Sequence, residues 1–409
     1  MNEAPAPTPG NTASVVSTGR FIRVLLAATS AWMVAYLSYY AQAQLMGELM
    51  EKFGRGEASV GGLSSAENAA FFITMMLAAG PVARLSRAKM AIFGGIVVVL
   101  ANVASAYAGS WELMMVLRVV AGVGGGLVSA CGTAALASSI DPDRAFAVVT
   151  VTSGLLYPLE PLAIPYAIEP YGVTGGYLLL AGMTVVFTPL FIWLLPAREV
   201  EGEDTPALTL LLEAPNRVLA IVAMVALFSF EIGQAAVYQF VAQLGEFAGL
   251  TKHAVGEAMS ATSLLGLSGG AVAAVLGTRF GRKWPIIIGL FLNAAAAAGL
   301  ALQSDPVAYW LLNLLWGVAY TFSVPYLMGA LSALDDRGRW VVAADGAWNG
   351  GTAVGPLLAG VLVEAAGYPP LAVLAMTSGL VCMALMTHVV TRLGSDSEAS
   401  SGAATTAPA

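Results

Sequence analysis

The chain is dominated by apolar stretches that are long enough to cross a bilayer as helices. A bilayer core needs about 20 predominantly apolar residues per helix. The stretches are continuously apolar and lack the alternation of a membrane barrel strand, so the pattern predicts helices. The twelve predicted spans are 22–46, 58–82, 89–109, 112–136, 145–168, 175–196, 216–242, 254–278, 284–303, 307–332, 340–365 and 370–391.

Composition supports a membrane protein rather than a water-soluble one. Of the 409 residues, 58% are hydrophobic and only 11% are charged, whereas soluble domains carry about 25% charged residues. This balance excludes a disordered chain, a nucleic-acid-binding protein and an ordinary soluble enzyme. Two Cys and two His residues provide neither a disulfide framework nor a metal cluster, so no metal and no cofactor are expected. The sequence predicts an all-α polytopic membrane protein.

Basic residues are distributed unevenly between the two sides that the twelve spans define. Fourteen lie on the side that holds both termini, three (Lys52, Arg55 and Lys252) lie on the opposite side, and Arg118 lies inside a span. By the positive-inside rule, both termini are expected in the cytoplasm and the protein in the inner membrane. The first span is too long, and is followed by too many others, to be a cleaved signal peptide.

Polar segments divide the chain into two units of six spans each. The longest interior polar segment, 197–215, is expected to be a cytoplasmic linker between helical bundles at 20–196 and 216–393. Residues 1–19 and 394–409 are rich in Pro, Ala, Ser, Thr and Gly, and are expected to form disordered cytoplasmic tails.

The two units align without a gap at an offset of 195 residues. Matches of Arg, Glu, Pro and Gly carry this alignment, because Leu and Ala matches between apolar helices are common by chance. A parallel repeat of this kind places a site between the halves near the midplane, with alternating access by rocking of one half against the other. The matches include Gly61 with Gly256, Arg84 with Arg279, Arg87 with Arg282, Gly122 with Gly317, Arg144 with Arg339, Pro161 with Pro356, Glu169 with Glu364, and Gly172 with Gly367.

Three short motifs connect the chain with a known family. The loop after the eighth span reads TRFGRK from Thr278, and the loop after the second span is a poorer copy, ARLSRAK from Ala83. The fourth span carries RVVAGVG from Arg118. With these motifs the chain resembles the major facilitator superfamily over nearly its whole length. The resemblance implies two six-helix bundles, transport by alternating access, and a gating role for the basic loop residues Arg84, Arg87, Arg279, Arg282 and Lys283.

Four ionisable residues lie inside the spans, where an unpaired charge costs about 2.5–3.5 kcal/mol. Arg118, Glu160, Glu67 and Glu231 lie on four different helices, at depths of roughly 9–16 Å from one face. We predict that Arg118 is balanced by Glu160, Glu67 or both, and that one carboxylate exchanges a proton as the cavity opens. The alternative is a structural ion pair that only fixes helix packing.

The repeat assigns this chemistry to one half of the chain. The second half keeps the backbone elements but lacks a charge at the positions equivalent to Arg118, Glu160 and Glu67, so folding of a half does not require these three charges. The N-terminal half is therefore predicted to carry the ion chemistry. At the offset of 195, Gly355 aligns with Glu160, Asn313 with Arg118, and Thr262 with Glu67.

The family resemblance also places helices 1, 4, 7 and 10 along a central cavity. Polar and aromatic residues on these helices become candidate substrate contacts. The alternative for the aromatic residues is a role in helix packing or in the interfacial belt. The candidates are Tyr36, Tyr40, Glu231, Gln234, Asn313 and Tyr320.

Together these features predict a secondary active transporter that moves a small organic solute through the lipid bilayer, coupled to protons and acting as a monomer. An uncoupled facilitator and a drug-type proton antiporter are the alternatives. The Gly-Pro motif that antiporters of the family carry in helix 5 is absent, which weakens the case for export. An enzyme is not expected, because the sequence offers no nucleophile–base pair or metal cluster.

Overall fold

A computed structural model describes residues 18–139, 141–196, 216–334 and 339–405, without the side chains of 18–20, 143, 339, 341–342 and 394–405. These residues form twelve α-helices and one short 3-10 helix, Thr188–Trp193. The α-helices are α1 (Thr18–Phe53), α2 (Glu57–Arg84), α3 (Arg87–Ala106), α4 (Trp111–Ala137), α5 (Pro142–Leu156), α6 (Leu159–Phe187), α7 (Arg217–Phe247), α8 (Lys252–Leu276), α9 (Lys283–Leu302), α10 (Pro306–Ser332), α11 (Arg339–Ala366) and α12 (Pro369–Thr405).

Hydropathy of the described helices identifies 10 segments that could cross a membrane. One of them, Arg144–Trp193, has 50 residues; at about 1.5 Å per residue it is long enough for two crossings. Helix α11 is not among the 10, since glycines and the polar residues Asp345 and Asn349 lower its hydropathy. The all-α membrane-spanning class is confirmed. The count of twelve crossings requires the long segment to be divided and α11 to be included.

The long segment contains a turn at Gly172, which lies in the gap between the predicted spans 145–168 and 175–196. Helix α5 ends at Leu156, and α6 starts after Pro158, because a proline ring clashes with the preceding helical turn. Helix α6 then bends at Gly172, which has a φ of 54°. Gly367, its counterpart in the repeat, has a φ of 72°. Glycine adopts such values without steric strain, so the repeat extends to these two turns.

The C-terminal end of the chain differs from the sequence prediction. Helix α12 continues to Thr405, where residues 394–409 were expected to be a disordered tail. Extending an existing helix adds residues without a new nucleation step, so even a weakly apolar segment can follow it. The remaining parts of the predicted tails and linker lie outside the described residues: 1–17, 197–215 and 406–409.

The helices form two bundles with matching internal contacts. Helix α2 packs against α4 in the first bundle, and α8 packs against α10 in the second. A Cβ added at Gly122 would overlap the backbone of Glu67, and one added at Gly317 would overlap Thr262. These two contacts are related by the offset of 195. We call the side of the molecule on which α1 begins the terminal side, and the side on which it ends the far side.

Two glycine–proline contacts bring the halves together near the far side. A Cβ added at Gly61 of α2 would overlap the carbonyl oxygen of Pro356 in α11. A Cβ added at Gly256 of α8 would overlap the carbonyl oxygen of Pro161 in α6. Both pairs are counterparts in the repeat. Since glycine lets two helix backbones approach closely, these contacts close the far side with the same geometry twice.

Polar contacts between the halves are also concentrated on the far side. The carboxylate of Glu364 accepts a hydrogen bond from the backbone N–H of Ala58 at 2.8 Å. Its counterpart Glu169 lies 2.9 Å from Nδ1 of His253, and His253 itself is the counterpart of Ala58. Equivalent pairs of helix ends are therefore joined at both positions of the repeat. One contact uses the backbone N–H of Ala58, and the other uses the side chain of His253. The far side is closed in this structure.

Adding one methyl group at Gly61 or Gly256 should oppose this closure. Overpacking of a tight contact costs about 1–3 kcal/mol, so Gly61→Ala and Gly256→Ala should shift the population towards a conformation that is open on the far side. Spin labels at Tyr107 and Ser304, which are exposed on the far side in opposite halves, would report a longer distance by pulsed electron paramagnetic resonance.

The matched control is Gly80→Ala in the same helix as Gly61, because a Cβ there meets no atom within 4 Å. It should leave the distance distribution unchanged. If Gly61→Ala and Gly256→Ala gave the wild-type distribution as well, the glycine–proline contacts would not control closure.

Candidate functional site

A central cavity lies between the two halves and consists of two adjoining lobes. Their volumes are about 380 and 440 Å³, which is within the range of about 300–1,000 Å³ for small-molecule sites. The two lobes share part of their lining, so they form one continuous region. The shared residues are Tyr36, Tyr39, Tyr40, Glu231 and Tyr320.

The structure places most of the candidate substrate residues on this cavity. Tyr36, Tyr40, Glu231 and Tyr320 line both lobes, and Gln234 lines the second. Asn313 does not line either lobe; it lines a pocket of about 50 Å³ that shares Tyr157, Tyr238 and Trp316 with the second lobe.

Gln234 is held by a polar network in the wall of the second lobe. Its Nε2 donates a hydrogen bond to Oδ1 of Asn293 at 2.8 Å, and its Oε1 accepts one from Nε1 of Trp316 at 2.7 Å. Asn293 in turn donates to the backbone carbonyl of Trp316 at 3.2 Å. The amide of Gln234 therefore connects α7, α9 and α10, and orients the Trp316 ring beside the cavity.

Glu231 faces both lobes from α7. Tyr320 donates a hydrogen bond to Oε1 at 3.3 Å, and Thr352 donates one to Oε2 at 3.5 Å. The residue is only 2% exposed. Hydroxyl groups of α10 and α11 are thus the hydrogen-bond partners of this carboxylate, and no cation among the described residues pairs with it.

Arg118 is buried in the N-terminal bundle behind the cavity. Its Nη2 donates hydrogen bonds to Oδ1 of Asn102 at 2.9 Å and to Oγ of Ser105 at 2.7 Å, both on α3. The guanidinium carbon lies 4.4 Å from the ring centroid of Tyr177 on α6, a cation–π arrangement. With 1% of its surface exposed, Arg118 does not line either lobe.

The carboxylate that pairs with Arg118 is that of Glu67 on α2. Nη1 of Arg118 lies 3.5 Å from Oε1 of Glu67. Two residues of α1 complete the site: Ser38 donates to the same carboxylate at 2.5 Å, and Gln42 donates to it at 3.3 Å. Glu67 also lines the first lobe, so the ion pair is adjacent to the cavity through its acidic member.

Glu160 does not pair with Arg118 in this structure. Its side chain is fully buried at 0% exposure, and neither carboxylate oxygen has a hydrogen-bond partner among the described residues. It follows Tyr157 by less than one helical turn, and the Tyr157 ring lies 4.6 Å from the ring of Tyr40. The sequence left Glu67 and Glu160 open as partners of Arg118. In the described structure, Glu67 pairs with Arg118 and Glu160 does not.

Comparison with known proteins gives the family of this architecture. The family model described as Major Facilitator Superfamily matches residues 28–334 and 219–408. The chain belongs to the Major Facilitator Superfamily. It is accordingly a multi-pass membrane protein of a transporter family, as the motifs of helix 4 and of the two basic loops indicate.

Solved structures with the same fold include transporters of different solutes. A nucleoside transporter, NupG, matches with a TM-score of 0.72 and 14% identity, over 91% of this chain and 98% of that one. A peptide transporter, POT, solved with alafosfalin, matches with a TM-score of 0.71 and 16% identity, over 92% and 95%. A bacterial homologue of the lysosomal transporter Spinster, in an inward-facing conformation, matches with a TM-score of 0.67 and 13% identity, over 92% and 96%.

At these identities the likeness shows the fold and not the solute. No curated protein sequence matches the chain. Neither the solute nor a coupled ion follows from these similarities.

The two copies of the superfamily's basic loop motif differ in burial. Arg87 is buried, and it donates hydrogen bonds to the carbonyl of Val82 at 3.2 Å, to Oγ of Ser138 at 2.9 Å and to the carbonyl of Pro196 at 3.4 Å. It therefore joins the terminal-side ends of three chain segments. The other basic loop residues are exposed or half-exposed: Arg84, Arg279, Arg282 and Lys283.

Sequence reasoning missed the polar residues that surround the ion pair. Asn102 and Ser105 are three residues apart in an apolar helix, and such a pair shares one face. This spacing could have identified them as partners for a buried charge. Ser38 and Gln42 show the analogous spacing of four on α1. The tyrosines of that helix indicated a cavity lining and gave no sign of a polar site around Glu67.

Removing the acidic member of the ion pair should destabilise the protein strongly. Glu67→Gln would leave Arg118 as an uncompensated buried charge, and breaking a buried pair costs about 3–5 kcal/mol. The thermal unfolding midpoint of the purified protein in detergent would measure this loss.

An exposed ion pair on the far side provides the matched control. Arg55 lies 3.6 Å from Glu112, whose side chain is 77% exposed, and such a pair contributes about 0–1 kcal/mol. Glu112→Gln should leave the midpoint almost unchanged. Equal small shifts for the two variants would mean that Glu67 does not neutralise Arg118.

Proposed function

We propose that the protein is a proton-coupled secondary transporter of a small organic solute in the inner membrane, with both termini in the cytoplasm. The observation that carries the coupling is the environment of Glu160, a fully buried carboxyl group without a partner in the described structure. Membership of the superfamily and the central cavity support transport of a small molecule. In this account the protein catalyses no reaction and acts as a monomer.

Rocking of the two bundles would provide alternating access. The units are residues 20–196 and 216–393, joined by the linker 197–215. The close contacts at Gly61 and Gly256 support a conformation closed on the far side. The concentration of basic residues on the terminal side supports a cytoplasmic assignment for that side, so the conformation is inward-facing.

Glu160 is the residue to which we assign the proton. A buried carboxylate that accepts no hydrogen bond and has no cation nearby is costly as an anion, whereas the protonated acid is neutral. In the conformation closed on the far side, Glu160 therefore carries a proton. When the halves rearrange and water reaches the residue, the anion becomes hydrated and the proton is released.

Arg118 and Glu67 complete the coupling site in this proposal. Arg118 already has a carboxylate and two polar side chains of α3 as partners, so it does not neutralise Glu160 in this conformation. Ser38 and Gln42 bind Glu67 from α1, the helix that also carries the cavity tyrosines. A shift of α1 that accompanies solute binding would alter the bonds to Glu67, and this connects the ion pair with the cavity.

A screen in proteoliposomes tests the function directly. The purified protein would be reconstituted and offered radiolabelled organic solutes, with an imposed proton gradient of either direction and with a protonophore as the reference. Accumulation that the protonophore abolishes is expected. Accumulation that does not depend on the gradient would instead indicate a facilitator, and dependence on the opposite gradient would indicate a proton antiporter.

Glu160→Gln separates coupling from movement of the solute. The amide cannot exchange a proton, so the variant should lose at least 10-fold of its gradient-driven accumulation, while exchange of labelled for unlabelled solute continues in part. Glu112→Gln, an exposed carboxylate removed from the cavity, should leave both activities unchanged. If uphill accumulation survived in Glu160→Gln at the wild-type level, Glu160 would not be the coupling residue.

A further inference from the structure

The charged side chains that line the described cavity are all acidic. Three carboxylate residues, Glu67, Glu231 and Asp345, line its two lobes. Among the described residues that line the lobes there is no Lys, Arg or His. Glu67 is neutralised by Arg118, which leaves Glu231 and Asp345 without a cation among the side chains that the structure describes.

Glu231 occupies the centre of this arrangement, because it lines both lobes. Its hydrogen bonds come from the neutral hydroxyl groups of Tyr320 and Thr352. A hydroxyl donor stabilises a carboxylate but does not balance its charge. The titratable groups that face Glu231 from other helices are acids too: Tyr39 and Tyr40 on α1, Tyr320 on α10 and Cys382 on α12.

Aromatic rings line both of the lobes that this carboxylate faces. Tyr39 stacks on Tyr238 with ring centroids 5.1 Å apart, and Tyr40 meets Tyr39 edge-on at 5.4 Å. On the other side, the ring of Tyr320 lies 6.0 Å from that of Trp348 at an interplanar angle of 71°. Faces of Tyr and Trp attract cations, and enclosing rings are the usual means of binding quaternary ammonium groups.

An anionic solute is disfavoured by the same geometry. Arg118 is the one arginine predicted within a span, and an arginine that lined the cavity would favour an anionic solute. In the structure its guanidinium is buried among α3, α6 and Glu67, and it does not reach either lobe. A negatively charged solute would therefore meet carboxylates and would find no described basic side chain.

We infer that the central cavity binds a small organic cation, with Glu231 as its counter-ion and the tyrosine and tryptophan rings as the walls of its site. This inference rests on the proposed transport function and names the class of its solute. Solute and carboxylate neutralise each other, so the cation can enter the membrane interior without the cost of an isolated charge. The volumes of about 380 and 440 Å³ limit the solute to a small molecule.

Binding to the purified protein in detergent, measured by isothermal titration calorimetry, tests the solute class without transport. The probes are phenyltrimethylammonium and 1-methyl-4-phenylpyridinium, each compared with a neutral relative of similar shape, tert-butylbenzene and 4-phenylpyridine. At least one cation should bind, roughly 10-fold or more tightly than its neutral relative. Equal binding of cation and neutral relative, or no binding of either cation, would overturn the inference.

Variants at two positions assign the site. Glu231→Gln keeps the shape and can accept the same hydroxyl donors, but it should weaken binding of the cation roughly 10-fold or more. Tyr320→Phe, which retains the ring but loses the hydroxyl donor to Glu231, should keep more of the binding than Tyr320→Ala, which loses both. Glu112→Gln is the control for a lost carboxylate elsewhere. The unfolding midpoint shows whether each variant is folded, and the Tyr320 pair tests the site even if Glu231→Gln is unstable.

The affinity of Glu231→Gln for the cation and the proton dependence of transport distinguish this inference from the proposed function. Wild-type affinity in Glu231→Gln would exclude the counter-ion role, while proton-driven transport of a neutral solute would leave the proposed function intact. Conversely, cation binding that depends on Glu231, together with transport that ignores the proton gradient, would support the inference and contradict proton coupling.

Discussion

Every charge inside the membrane must be neutralised, and this constraint organises the functional part of the molecule. An isolated charge at the centre of a bilayer costs about 2.5–3.5 kcal/mol or more. Arg118 meets the constraint with Glu67 and two polar side chains of α3. Glu160 has no such partner among the described residues, and in the proposed function a proton neutralises it. Glu231 has only hydroxyl partners, and the solute is the cation that would balance it.

The repeat shows why the second half has no counterpart of Glu160. Gly355 occupies the position equivalent to Glu160, and a Cβ there would lie 2.7 Å from the carbonyl oxygen of Ile232 in α7. The second half thus uses this position for tight packing of α11 on α7, which a glutamate would prevent. The same duplicated backbone therefore holds a buried carboxyl group in one half and a packed helix pair in the other.

Much of the fold could be predicted from the sequence, because span length and repeat offset depend on local composition. The residues of two repeat matches, Gly61 with Gly256 and Pro161 with Pro356, form the contacts that join the halves. Gly61 contacts Pro356, and Gly256 contacts Pro161. The choice between Glu67 and Glu160 as partner of Arg118 could not be predicted, since it depends on how each helix is rotated about its axis. The continuation of α12 to Thr405 was missed because composition alone does not register that a preceding helix removes the nucleation cost.

The protonation of Glu160 in the conformation closed on the far side is the central claim, and infrared difference spectroscopy measures it directly. The spectrum of the wild-type protein minus that of Glu160→Gln should contain the carbonyl stretching band of a protonated carboxylic acid. A difference spectrum that contains the two stretching bands of an ionised carboxylate instead would show that Glu160 is charged, and would contradict the account.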